Sequence, residues 1–147
     1  MPIIPLLVAV MILVTSLMAQ SNRASETASD RNEAAAINGN IRVYRNAVVT
    51  YASNNPTASG TISDSALGLP SWFNHMPAVS NVVVAGKGYV FYSSVTPGLA
   101  YEITKATDNS ILVGINRGGV LTNPLSGNSG IPLPAGIPEG SVVYAAG

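Results

Sequence analysis

The sequence predicts an α+β protein: an N-terminal transmembrane helix, then an amphipathic helix packed on a small antiparallel β-sheet. Three observations carry this expectation. An uncharged apolar run opens the chain, a stripe of apolar residues at spacings of three and four follows, and short apolar runs broken by Gly, Pro, Ser and Asn fill the rest. At 147 residues the chain suits one domain with a modest core. Only 10% of residues are charged and the mean hydropathy is positive, well away from the roughly one-quarter charge of ordinary soluble domains. The same counts exclude chemistry. The absence of Cys removes disulfides, thiol catalysis and most zinc sites, and a single His forms no metal-binding cluster. Seven Lys+Arg against seven Asp+Glu leave no electrostatic footprint for nucleic acid.

From Ile3 to Met18 the run is apolar apart from Pro5, Thr15 and Ser16. As a helix it measures about 24 Å, approaching the ~30 Å hydrocarbon core of a bilayer. Leu6, Leu7, Val8, Val10, Met11, Ile12, Leu13, Val14 and Leu17 form the anchor, and Pro5 is tolerated in the first turn. A cleaved signal peptide competes with this reading, but no Lys or Arg precedes the run, and Ala19-Gln20-Ser21 is a poor small-x-small cleavage site. Counting positive charges literally places the body in the cytoplasm, yet Arg23 and Arg31 are interleaved with Glu26, Asp30 and Glu33, so charge does not decide the side.

The charge map divides the chain. Residues 1–22 are a membrane anchor or signal-like segment, 23–56 a charged amphipathic helical stalk, and 57–147 a strand-rich body forming one globular domain with the helix. In the stalk, Ala34, Ile37, Ile41, Tyr44, Val48 and Tyr51 fall on one stripe, with Ile37, Ile41, Tyr44, Val48 and Tyr51 as the packing face. Asn38-Gly39-Asn40 interrupts the stripe with poor helix formers, costing about 1 kcal/mol at the glycine, so a bend or break is expected there. Asn54-Asn55-Pro56 ends the element.

In the body, Asn81–Ala85 and Tyr89–Tyr92 flank Gly86-Lys87-Gly88 as a hairpin. Ser110–Ile115 and Val120–Thr122 flank 116–119 as a second one. Leu99–Thr107 fits a strand or a short helix, and Pro97 near its start favours the helix. Ser141–Ala145 closes the chain as the last strand.

Chemistry-bearing patterns are sparse. Gly127-Asn128-Ser129-Gly130 lacks the final glycine of a nucleophile elbow, where Ile131 stands instead. A triad would have to combine Ser129 with His75 and either Asp64 or Asp108, which reads better as polar loops. Gly86-Lys87-Gly88 lacks the spacing of a phosphate loop. No catalytic, cofactor or metal site is therefore expected. Leu69 to Pro77 is the most distinctive stretch, holding the sole Trp and sole His. Trp72 and Phe73 either cap the core, with His75 satisfying a backbone group, or present an aromatic contact to a partner.

The apolar head, charged helix and strand-rich body resemble the architecture of type IV pilins. The prepilin signature is absent, with no basic leader, no Gly before a Phe-like residue and no Glu within Met1–Ser21. More specifically, the chain resembles the PilM family encoded in the thin-pilus gene clusters of conjugative plasmids. The residues that carry this are Tyr44-Arg45-Asn46-Ala47-Val48, Tyr51-Ala52, Asn55-Pro56, Gly60, Leu67-Gly68-Leu69-Pro70-Ser71-Trp72, Val113-Gly114-Ile115 and Ile137-Pro138-Glu139-Gly140-Ser141. The actin-like cytoplasmic protein of the same name has a nucleotide-binding sequence that this chain lacks. The resemblance implies a single-pass inner-membrane accessory protein or scaffold of type IV (thin) pilus biogenesis in plasmid conjugation, with its body in the periplasm. Its implied partners are other pilus-assembly proteins or pilin, with a homo-oligomer as a further option. A minor pilin or tip component of the fibre and a small periplasmic hydrolase using Ser129 and His75 are the alternatives.

Overall fold

The computed structural model describes residues 3–145. One helix, α1, runs from Ile3 to Asn54, 52 residues without interruption. The expected break at Asn38-Gly39-Asn40 is not there. Gly39 faces open space, while Asn40 donates to the Asn74 carbonyl (2.9 Å) and accepts from the Met76 amide (3.0 Å), and Asn38 accepts from the Tyr144 hydroxyl. Tertiary bonds thus outweigh the roughly 1 kcal/mol propensity penalty. At the far end the Asn55 side chain donates to the Tyr51 carbonyl (2.9 Å), and Pro56 prevents continuation.

The body follows as β1 (Ser59–Gly60), a 3-10 turn at Asp64–Ala66, β2 (Val79–Val84), β3 (Lys87–Tyr92), α2 (Pro97–Ala106), β4 (Val113–Arg117), β5 (Val120–Asn123), β6 (Gly127–Pro132) and β7 (Val142–Tyr144). The strands form one seven-stranded antiparallel sheet in the order β1-β2-β3-β7-β4-β5-β6. Both hairpins form, with tighter turns than expected. Ala85 and Gly86 (φ 49° and 77°) turn the first, so Lys87 and Gly88 belong to β3; Gly118 and Gly119 (φ 61° and 76°) turn the second, so Asn116 and Arg117 belong to β4. Left-handed residues at both turn positions match the twist of the flanking strands. Gly127–Pro132, read as a polar loop, is instead an edge strand.

The last strand occupies the middle of the sheet. Its residues Val142, Val143 and Tyr144 pair with β3 on one side and β4 on the other, joining two three-stranded halves. All three are buried. Leu99–Thr107 is helical, because Thr96 caps the first turn by accepting from the Leu99 amide and Pro97 presets the first helical φ.

Helices α1 and α2 lie on one face of the sheet. There Ala34, Ile37, Ile41, Tyr44 and Val48 meet Val83, Val90, Val142 and Tyr144 in the main core, with Leu99 and Ile103 from α2. The packing face holds through Val48 and then shifts by one residue: Ala52 is fully buried and Tyr51 only half-buried. Gly88 is what lets α1 come so close, since a side-chain carbon there would lie 2.8 Å from a Val48 methyl. On the opposite face, Val82, Phe91, Leu121 and Val143 are covered by the segment carrying Leu133 and Ile137.

Candidate functional site

Every side chain from residue 4 to 29 is exposed, so the first half of α1 projects clear of the body. The nine anchor residues are 44–67% exposed. A face of Leu, Ile, Val and Met open on all sides suits hydrocarbon rather than water, and the helix holds one span long and apolar enough to cross a membrane. Thr15 fits that medium because its hydroxyl donates back to the Met11 and Ile12 carbonyls, both at 3.0 Å.

The body grips α1 from Asp30 onward. Arg31 Nε lies 3.5 Å from the Glu102 carboxylate, which is mostly covered. Gly98, at the start of α2, lies against the Asp30 carboxylate, which a side chain at that position would have to displace. Tyr92 is raised above its ordinary pKa by burial and by the neighbouring Glu33 charge. Three stalk residues that the sequence presents only as polar, Asp30, Arg31 and Glu33, therefore join anchor to body, and no local pattern marks them.

The distinctive Trp72–His75 segment closes over the end of this interface, and its residues part company. Phe73 is half-buried and stacks on Tyr44, with ring centroids 6.3 Å apart. Trp72 stands 72% exposed, edge-on to Phe73. Phe73 thus caps the core, while Trp72 stays exposed beside it. His75 bonds a carboxylate rather than a backbone group, its Nδ1 lying 2.6 Å from Asp64 Oδ2. Tyr44 donates to the other oxygen of Asp64 (3.2 Å) and accepts from the Asn81 amide (2.7 Å), and Asn81 exchanges two bonds with the backbone of Ile62. Burial pushes the Tyr44 phenol up to about 12; Asn81 lowers it and the Asp64 charge raises it further. This network ties the loop before β2 to the core face of α1.

The histidine–aspartate pair does not continue into a triad. Ser129 lies on β6, at the edge of the sheet opposite β1, and its hydroxyl donates to the Leu121 carbonyl at 2.6 Å. Asp108 sits in the turn after α2.

A cleft of about 690 Å³ opens on the other flank of α1, between Asn38, Arg42 and Arg45 of the helix, the turn holding Asp108, and Val113 and Tyr144 of the sheet. Arg45 donates through Nη2 to the Ala145 carbonyl (2.9 Å). Its Nε and the Asn38 amide nitrogen are buried without hydrogen-bond partners among the described residues. Burial pushes the Tyr144 phenol far up, against the lowering effect of the Arg45 charge.

An apolar half-helix standing free of a sheet domain that clasps the other half defines an α+β protein with a candidate N-terminal membrane span. The chain belongs to the PilM family, whose family model matches residues 8–145. It is similar to the crystal structure of a PilM protein from Escherichia coli B7A, with 26% identity and a TM-score of 0.53 over 82% of this chain and 93% of that one. It is also similar to a PilM protein from Pseudomonas aeruginosa 2192, with 36% identity and a TM-score of 0.44 over 80% of this chain and 95% of that one. A search of curated proteins finds no match. This is a pilus-related protein with an N-terminal helix fit to span a membrane.

Proposed function

We propose that the protein is a non-enzymatic, membrane-anchored scaffold of type IV (thin) pilus biogenesis in plasmid conjugation, with its body on the periplasmic side of the inner membrane. One observation carries the reading: the exposed apolar half of α1 and the helix at the heart of the body are the same unbroken element. A contact made by the body is thereby held at a fixed position relative to the anchor. The exposed Trp72 and the scarcity of charge on the body support protein partners, other pilus-assembly components or pilin, over free solution. The periplasmic placement is part of this proposal, and its support is the resemblance to the thin-pilus PilM family rather than the charge pattern.

The test combines mass measurement of the N-terminus, protease accessibility in spheroplasts and affinity isolation from detergent-solubilised membranes. The scaffold reading expects an intact N-terminus, a body cleaved only after the outer membrane is opened, and retention of pilus components. A body that pulls down no pilus component overturns it. The long helix also supports a second reading, a minor pilin held at the fibre tip, which expects a processed N-terminus and co-purification with sheared pili.

A further inference from the structure

The cleft beside Arg45 contains two donors without partners among the described residues. Asn38 is only 8% exposed, and its amide nitrogen has no partner although its oxygen accepts from Tyr144. Arg45 Nε is likewise buried without a partner. No carboxylate lies within 4.0 Å of Arg42 or Arg45 among the described residues. Two cationic side chains with no counter-ion among the described residues, in one wall with an unpaired amide, make a site short of an anion.

The surroundings narrow the anion. Arg45 Nη2 keeps its bond to the Ala145 carbonyl, so the Arg45 Nε–H and the exposed Arg42 guanidinium beside it are the donors left for the two oxygens of a carboxylate. Ala35, Ile41 and Val113 make the adjoining walls apolar, and Asp108 on the rim disfavours a ligand with several negative charges. The volume, about 690 Å³, falls within the roughly 300–1,000 Å³ of ligand-sized sites. We propose that this cleft binds the carboxylate of a peptide segment from a partner protein, held by Arg45 and Arg42 with Asn38 behind them. The proposal deepens the docking role above and rests on it only for the origin of the peptide.

The experiment is a ¹⁵N NMR titration of the full chain in a detergent micelle, following the Arg45 Nε–H and Asn38 side-chain amide signals. The probes are acetyl-Ala-Ala-Ala with a free terminal carboxylate, the same peptide amidated, acetyl-Ala-Asp-Ala-amide, and inorganic phosphate. The expected result is saturable movement of both signals with a carboxylate-bearing peptide, the two peptides distinguishing a chain terminus from an acidic side chain. Binding of the amidated alanine peptide is expected to be weaker by tenfold or more, as for loss of a charge-assisted contact. Arg45→Lys keeps the charge but loses the fork, and exposed Arg42→Gln leaves the core untouched; each should weaken binding about tenfold. Equal responses to free and amidated peptides, or stronger binding of phosphate, overturn the proposal. So does peptide binding seen only after deletion of residues 146–147, which would give the cleft to the chain's own last residues. Because the probes are synthetic, failure here leaves the scaffold reading standing, and failure to isolate pilus components leaves peptide binding to be read by itself.

Discussion

Gly88 sets the distance between α1 and the sheet, and replacing it tests how closely that contact is packed. In Gly88→Ala the new carbon would sit 2.8 Å from Val48 Cγ1, 3.2 Å from the Val48 carbonyl oxygen and 3.3 Å from its carbonyl carbon. Carbon pairs prefer about 3.5–4.0 Å. Val48 is fully buried, and a valine in a helix has essentially one rotamer, so the methyl cannot swing away. Overpacking of this kind costs about 1–3 kcal/mol, against about 0.5–1 kcal/mol gained by replacing a strand glycine, for a net loss of about 1–2 kcal/mol. Val48→Ala alone should cost about 2 kcal/mol from two buried methyls and the cavity they leave. In the double variant the shortest clash disappears and the added methyl fills part of that cavity, so the combined loss should fall short of the sum by about 1 kcal/mol. The assay is urea unfolding of the chain without residues 1–22, followed by tyrosine near-ultraviolet circular dichroism. Additive losses would refute the claim that these two residues compete for one space.

Other perturbations probe the remaining features. Because the folded-state pKa of Tyr44 is raised, its contribution is complete below the unfolded value near 10 and is lost as pH rises towards about 12; Tyr44→Phe should cost about 1 kcal/mol at neutral pH and flatten that alkaline decline, and an unchanged slope of urea midpoint between pH 9 and 11 would contradict this. Trp72→Ala should change stability by no more than about 0.5 kcal/mol, while Phe73→Ala should cost about 1–3 kcal/mol, read by the same unfolding assay. Ile12→Asp should disfavour membrane insertion by about 3–4 kcal/mol, seen as release of the full chain on carbonate extraction. Ending the chain after Gly140 removes β7 from between β3 and β4 and should abolish cooperative unfolding, with loss of amide dispersion in the proton NMR spectrum.

The fold was legible where apolar pattern and turn chemistry agree. The anchor, the stripe from Ala34 to Val48, both hairpins and the helix that begins at Pro97 all have local causes. What escaped depends on contacts distant in sequence. Helix continuity through Gly39 relies on bonds from Asn38 and Asn40 to residues of the body. Strand β1 is only two residues long, and β6 is glycine-rich and largely exposed, so neither shows the alternation that marks a half-buried strand. The central place of β7 is a matter of topology, which a run of Val-Val-Tyr does not encode. At the candidate site, Trp72 and Phe73 were visible as sequence features, whereas the cleft draws Asn38, Arg42 and Arg45 from a helix stretch that otherwise reads as ordinary polar surface.

The exposed stretch of α1 between the anchor and the first clasp at Asp30 covers residues 19–29, about 16 Å of helix. In a bilayer this makes a mast without a joint. Every copy then carries its body at one height, and turning about the membrane normal is its main remaining freedom. Encounters between copies, or with another anchored component, become a search in two dimensions among surfaces already level with one another. A weak contact made from such a body gains from that alignment, because the orientational freedom that a freely diffusing protein would have to lose on binding is already removed by the helix.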